Sequence, residues 1–255
     1  MEKTLSKELK VKSILVSQPK PETEKSPYHD LAKKFSLKID FRPFIHVEGV
    51  PANEFRKERI NLADFTAVIL TSRYAADHFF RMCTEMRIAN LDQIKYFCIS
   101  ESTAFYLQKY VVFRKRKIFY GKSSINDLID VIKKHKKEKF LLPCSDIHKQ
   151  EIADTLNDNK IEFTKAIMYR TVCSDLSDLA DVNYDMLVFF SPSGITSLLK
   201  NFPEFKQNKT RIAAFGSTTN KAVEEAKLKV NVMAPVPDAP SMTMAIEQYL
   251  KKVNK

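Results

Sequence analysis

The chain has 255 residues, room for one large or two medium domains, and its 44% apolar content is ordinary for a globular protein with a sizeable core. No stretch approaches the ~18 consecutive apolar residues of a membrane span, and the opening Met1-Glu2-Lys3-Thr4-Leu5-Ser6 lacks the apolar segment of a secretory signal, so a cytoplasmic protein is expected. A net charge of +11 turns attention to an anionic partner. Cys83, Cys98, Cys144 and Cys173 are scattered, with no CxxC pair and no His/Cys cluster at metal-ligand spacing, and are expected to be reduced.

In chain order, Ser13-Ile14-Leu15-Val16 reads as the first strand. Ala67-Val68-Ile69-Leu70 is the second clear one, followed by Thr71-Ser72-Arg73 and a helical pattern through Cys83. Tyr96-Phe97-Cys98-Ile99 runs into Ser100-Glu101-Ser102-Thr103 and a second helical stretch. A basic run, Arg114-Lys115-Arg116-Lys117, comes next, and Lys133-Lys134-His135-Lys136-Lys137 is a second; both read as solvated surface. Phe140-Leu141-Leu142 precedes a turn expected over Pro143-Cys144-Ser145-Asp146. Met186-Leu187-Val188-Phe189-Phe190 runs into Ser191-Pro192-Ser193-Gly194, and Arg211-Ile212-Ala213-Ala214-Phe215 into Gly216-Ser217-Thr218-Thr219. Val230-Asn231-Val232-Met233 is the last strand. Short, continuous apolar strands alternating with helical stretches predict parallel sheets covered on both faces, an α/β fold.

Small hydroxyl residues recur where strand gives way to helix. Thr71, Ser102 or Thr103, Ser191 or Ser193, and Thr218 or Thr219 suit helix N-caps. The same turns present backbone N–H groups at helix N-termini, which attract anions. Several such turns at the carboxyl ends of parallel strands line the crevice where open α/β sheets bind ligands.

The pattern also repeats. Val68-Ile69-Leu70-Thr71-Ser72-Arg73 aligns with Val188-Phe189-Phe190-Ser191-Pro192-Ser193, and Phe97 to Thr103 with Ala213 to Thr219. Ile14-Leu15-Val16-Ser17-Gln18 aligns with Phe140-Leu141-Leu142-Pro143-Cys144. Two further segments, 41–47 and 166–172, mix β-branched, aromatic and basic residues and suit paired strands joining two lobes across a cleft.

Phe189-Phe190-Ser191-Pro192-Ser193-Gly194 with Ala213-Ala214-Phe215-Gly216-Ser217-Thr218-Thr219 resembles the uroporphyrinogen-III synthase family. So do Leu142-Pro143-Cys144-Ser145, Met168-Tyr169-Arg170-Thr171-Val172 and the late Ala234-Pro235. The ordered set, spread over essentially the whole chain, carries the resemblance. It implies two flavodoxin-like parallel-sheet lobes joined by a two-stranded β connector, with the chain crossing between lobes twice. The expected bounds are 1–40 plus 173–255 for lobe 1, 48–165 for lobe 2, and 41–47 and 166–172 for the connector.

The resemblance implies a cytoplasmic monomer acting on hydroxymethylbilane, a small-molecule polycarboxylate, with no metal or organic cofactor and neither a nucleic-acid nor a membrane partner. It leaves room for transient contact with the enzyme that makes the substrate. The implied reaction removes water, inverts the last pyrrole ring and closes the macrocycle, as a cyclising hydro-lyase in tetrapyrrole (haem) biosynthesis. Eight carboxylates suit a basic protein rich in N–H-presenting turns, and the chemistry is largely positioning plus a proton donor for the departing hydroxyl.

Tyr169, by its match to the family's tyrosine, is the expected donor, since a phenol of pKa ~10 stays protonated at neutral pH. The expected substrate-binding set is Thr71, Ser72, Ser102, Thr103, Cys144, Ser145, Ser191, Ser193, Gly194, Gly216, Ser217, Thr218 and Thr219, with Cys144 packing or lining rather than attacking. The chain departs from the family at Ser100-Glu101, where relatives tend to have Gly. A carboxylate there repels an anionic substrate, with Arg73 on the neighbouring turn expected to offset it. That departure keeps open a tetrapyrrole- or polyanion-binding protein without turnover, and the +11 charge with the two basic runs keeps open a basic nucleic-acid binder.

Overall fold

The computed structural model describes residues 10–23, 25–147, 150–179 and 183–254. Among them the chain runs through β1 (Ser13–Val16), α1 (Pro27–Phe35), β2 (Lys38–Phe41), β3 (Ile45–Gly49), α2 (Ala52–Phe55), β4 (Ala67–Leu70), α3 (Arg73–Glu85), β5 (Lys95–Cys98), α4 (Glu101–Tyr106) and β6 (Ile118–Tyr120). It continues through α5 (Asn126–Lys134), β7 (Phe140–Ser145), α6 (Gln150–Asp158), β8 (Phe163–Cys173), β9 (Met186–Phe189), α7 (Pro192–Asn201), β10 (Arg211–Phe215), α8 (Ser217–Glu225), β11 (Val230–Ala234) and α9 (Met242–Val253). Two compact units result: residues up to His46 with those from Val172 onward, and Val47–Thr171. The chain passes from one unit to the other twice, within β3 and within β8.

The first unit holds a five-stranded sheet in the order β11-β10-β9-β1-β2, every pair parallel. Alternate residues along each strand face opposite sides. Ile14, Val16, Met186, Val188 and Ala213 pack with Leu31 of α1 and with Ala245, Ile246 and Leu250 of α9. Leu15, Leu187, Phe189, Ile212 and Ala214 pack on the other side with Ile195 and Leu198 of α7 and Val223 of α8. Burial on both faces is why these strands read as unbroken apolar runs.

The second unit holds a six-stranded sheet in the order β3-β8-β7-β4-β5-β6. The β4–β5, β4–β7, β5–β6 and β7–β8 pairs are parallel. Val68, Leu70, Tyr96, Cys98 and Leu141 pack against Ala75, Ala76, Phe79 and Phe80 of α3. Ala67, Ile69, Phe97, Phe140 and Leu142 pack against Leu128, Ile129 and Ile132 of α5 and Leu156 of α6.

Set side by side, β8-β7-β4-β5-β6 and β2-β1-β9-β10-β11 follow one spatial plan. The β1/β7 and β5/β10 alignments read from sequence agree with it, since Ile14 and Phe140, and Phe97 and Ala213, face corresponding sides. The β4/β9 alignment is corrected by one residue. Ala67 and Ile69 share the side that Met186 and Val188 occupy, so Leu70 corresponds to Phe189 and Ser72 to Ser191.

The turn expected at Pro143-Cys144-Ser145-Asp146 is also corrected, because β7 continues to Ser145. Proline has no N–H to offer a ladder. Pro143 is tolerated because the β4–β7 ladder ends at Val68↔Leu141, before it, while Pro143 lies opposite Ala166 of β8. The segment 41–47 is divided: Phe41 ends β2 and Ile45 begins β3, which neighbours β8.

Candidate active site

In the second unit the chain order reverses about β4, with β5 and β6 to one side and β7 and β8 to the other. The crevice outside the carboxyl ends of β4 and β7 is where such sheets bind ligands. A cavity of about 360 Å³ lies there, lined by Thr71 and Ser72 after β4, Ile99 after β5, Ser123, Leu142, Cys144 and Ser145 of β7, Ile147, Ile152 and Tyr169 of β8. Five of the expected site residues, Thr71, Ser72, Cys144, Ser145 and Tyr169, therefore line one cavity.

The helix starts around it are capped, though by different residues than the sequence suggested. Ser72, not Thr71, caps α3 and accepts the Ala75 N–H at 3.1 Å. Ser100, not Ser102 or Thr103, caps α4 and accepts the Thr103 N–H at 3.3 Å. The reason is backbone shape: Ser72 and Ser100 are extended, as an N-cap must be, while Ser102 and Thr103 are already helical. Thr103 is 4% exposed and its hydroxyl is 3.1 Å from that of Ser100; Ser102 is exposed and does not line the cavity.

Tyr169 sits in its place because of a register shift. Along β8, Ala166 and Met168 face α3, so strict alternation sends Tyr169 to the other side. The β7–β8 register moves from Cys144↔Ile167 to Ser145↔Tyr169, leaving Met168 as an extra residue. This bulge turns Tyr169 onto the α3 side, where it packs with Met168 and is 9% exposed. Its ring stacks on His78, with centroids 4.9 Å apart and planes 16° apart. Burial pushes the phenol above its ordinary pKa, against a hydrogen bond with Ser72 that works the other way.

Cys144 is buried, its thiol pushed up to about 11 chiefly by burial, and its Sγ donates to the Ala166 carbonyl at 3.6 Å. It lines the cavity as a neutral thiol. Ser145 is spoken for too: its hydroxyl donates to Asp146 Oδ1 at 2.8 Å.

In the first unit, Ser191 caps α7 and accepts the Gly194 N–H at 3.4 Å. Gly194 is buried, and a Cβ there would meet the Phe189 ring at 3.1 Å, so it serves close packing. Ser193 is exposed. The start of α8 differs: its N-cap is Gly216, with φ 86° and ψ 151°, and no side chain caps it. The first turn, Ser217-Thr218-Thr219, thus opens with N–H groups that no cap side chain covers, an anion-attracting end. Ser217 and Thr218 are exposed; Thr219 is 1% exposed and lies beneath them.

Residues 26–244, most of the chain, match the family described as uroporphyrinogen-III synthase HemD. The chain belongs to the uroporphyrinogen-III synthase family. It is 24% identical over 257 residues to the uroporphyrinogen-III synthase of Chlorobaculum parvum, covering 94% of this chain and all of that one. It is 28% identical over 141 residues to that of Saccharomyces cerevisiae, across about half of each chain: 49% of this one and 50% of that one. Its fold is that of the crystal structure of the Helicobacter pylori uroporphyrinogen-III synthetase, with TM-score 0.61, 18% identity, and 94% of this chain and 99% of that chain covered. A mutant Thermus thermophilus uroporphyrinogen III synthase is also similar, with TM-score 0.53, 14% identity, and the same coverage.

Within this family member, the Ser100-Glu101 departure is structurally mild. Glu101 is exposed in the first turn of α4, where the helix dipole favours a carboxylate. The Arg73 guanidinium lies 5.4 Å from the centre of the Tyr106 ring, on the same helix as Glu101. No group of three or more His, Cys, Asp or Glu able to hold a metal occurs among the described residues, and no helix there is long and apolar enough to cross a membrane.

Sequence reasoning missed Ser123, Asp146 and His78. Ser123 follows β6, a three-residue strand behind a basic run that no apolar pattern announces. Its loop is tied down by Asp127, whose Oδ2 accepts the N–H groups of Lys122, Ser123 and Ser124, each at 3.0 Å. His78 carried a signal only in retrospect, as a polar ring amid the apolar positions of α3.

Proposed function

We propose that this chain converts hydroxymethylbilane to uroporphyrinogen III in haem biosynthesis, closing the ring as a hydro-lyase with inversion of the last pyrrole. The observation that carries this reading is the cavity at the carboxyl ends of β4 and β7, with the buried Tyr169 phenol held beside Ser72. Among the described residues, Tyr169 and Cys144 are the titratable groups in that lining, and the Cys144 thiol is committed to a backbone carbonyl. The acid role therefore falls to Tyr169.

The phenol, raised by burial, stays protonated at neutral pH and donates to the substrate hydroxyl. The C–O bond breaks, its electron pair leaves with the oxygen, and the phenolic proton completes a water molecule. The substituted carbon of the last ring then bonds to the first ring's methylene, giving a spiro intermediate. Its bond to the preceding bridge methylene breaks, and that methylene bonds instead to the last ring's unsubstituted α-carbon. The proton lost from this carbon as the ring regains aromaticity restores the phenol. The apolar lining, Ile99, Leu142, Ile147 and Ile152, suits pyrrole faces, while Thr71, Ser72 and Ser123 offer hydroxyls to carboxylates. Ser191, Ser193, Ser217 and Thr218 are proposed as further carboxylate contacts, with Gly216 leaving the α8 N-terminus open. Ser102 fits the same role by exposure; Thr103, Gly194 and Thr219 support the turns from beneath. The proposed working form is a cytoplasmic monomer.

The test is a coupled assay on freshly generated hydroxymethylbilane, with oxidised products separated into isomers I and III. Isomer III in large excess is expected, and Tyr169→Phe is expected to lower its formation sharply. Isomer I alone, as without protein, would overturn the catalytic reading in favour of polyanion binding on the same fold.

A further inference from the structure

We propose that Asp146 is a positioning residue for Tyr169: it locks the β8 bulge that aims the phenol into the cavity. A bulge leaves its extra residue outside the regular ladder, so groups around it must find other partners. Here Asp146 supplies them on one side. Its own N–H donates to the Tyr169 carbonyl at 3.2 Å, and its Oδ1 accepts the Thr171 N–H at 3.1 Å. The two contacts bracket Arg170 and fix the backbone leaving Tyr169. On the preceding side, the Met168 carbonyl accepts the Val50 N–H at 2.9 Å and an Arg81 guanidinium N–H at 3.2 Å.

Asp146 is itself held in place. The same Oδ1 accepts the Ser145 hydroxyl and the Ile147 N–H, each at 2.8 Å. Burial works to raise its pKa, but the hydrogen bonds from Ser145, Thr171 and Ile147 outweigh it and keep the carboxyl below its ordinary value. Asp146 therefore joins the end of β7, which forms one cavity wall, to β8, which carries the phenol. Because one oxygen takes all three donors, an asparagine amide oxygen can replace it and an alanine cannot.

The catalytic arm of the test rests on the acid role given to Tyr169; the structural arm does not. Asp146→Ala, Asp146→Asn, Tyr169→Phe and the double variant Asp146→Ala/Tyr169→Phe are compared for kcat and KM, after thermal unfolding shows each to be folded. Asp146→Ala is expected to lower kcat about tenfold or more, as misplacement of a catalytic group does. Asp146→Asn is expected to recover most of it, and the double variant to be no slower than Tyr169→Phe. In parallel, the 13Cζ resonance of Tyr169, assigned by its loss in Tyr169→Phe, is followed against pH. Asp146→Ala is expected to bring its titration toward an ordinary phenol, and Asp146→Asn to leave it raised.

Losses that multiply in the double variant, or an Asp146→Ala titration unchanged from wild type, overturn the inference. Full turnover by Tyr169→Phe removes the acid role; the resonance then decides the positioning role alone.

Discussion

The imidazole of His78 lies nearly parallel to the phenol of Tyr169, ring centres 4.9 Å apart, so the residue expected to donate a proton rests on a second titratable ring. Burial first, and the charge of Arg81 second, hold His78 below its ordinary pKa, with Asp77 opposing. The neutral ring is thus the native form beside Tyr169 at neutral pH.

A pH dependence of stability follows. A histidine whose native pKa is lowered binds fewer protons folded than unfolded, so its contribution is complete above ~6.5 and is lost as pH falls through the native value. Denaturant unfolding of His78→Phe is expected to weaken less on acidification than wild type. His135, also lowered, is present in both proteins and cancels from the comparison. Parallel declines would show that His78 has the same pKa folded and unfolded.

The thiols separate by environment. Burial pushes Cys83 and Cys98 up to about 12 and Cys144 up to about 11, while Cys173 is half-buried at the end of β8. Since the thiolate is the reactive form, a thiol reagent at ~pH 8 is expected to modify one cysteine quickly and three only on unfolding. Cys173→Ser is expected to abolish the fast phase. More than one fast thiol in native protein would contradict the burial described here.

Phe97 is fully buried among Phe119, His135 and Phe140 on the α5 side of the second sheet. Phe97→Ala removes a ring from a packed core and is expected to cost about 3–5 kcal/mol in equilibrium unfolding. A loss below about 1 kcal/mol would mean that the site collapses around the gap.

Gly216 has a backbone conformation that side chains rarely adopt, yet nothing lies within 4 Å of where a Cβ would stand. The expected cost of Gly216→Ala is therefore conformational, about 1–3 kcal/mol, and not steric. Relaxation of that strain disturbs the open N-terminus of α8, so KM is expected to rise more than kcat falls. Unchanged KM with the full stability loss would remove α8 from the carboxylate-binding set.

The central strands were legible because both faces are covered: Ser13–Val16, Ala67–Leu70 and Arg211–Phe215 read directly as apolar runs with the bounds observed. β6 was not legible, since three residues after a basic run show no period. For the site, residue type announced the hydroxyl turns but not which hydroxyl caps. Ser72 and Thr71 are equivalent as letters, and what separates them is that α3 begins at Arg73, directly after Ser72. The placement of Tyr169 lay beyond sequence reasoning for a sharper reason: alternation along β8 predicts the wrong face, and only a one-residue bulge opposite Ser145 corrects it. Asp146 was invisible for the same reason, because its partners are backbone groups on another strand.

The path of the chain also dictates an order of assembly. Val47–Thr171 is one uninterrupted stretch, whereas the strand β1 must find β9, with Ser13 and its hydrogen-bonded partner Asp185 separated by 172 positions. During synthesis the whole inner unit is polymerised before β9 exists. The β1–α1–β2 segment emerges first and waits, its apolar side of Leu15 without the Leu187 and Phe189 it will pack against. This segment, made before the inner unit, is thus completed only after it, and needs protection from aggregation while the rest is translated.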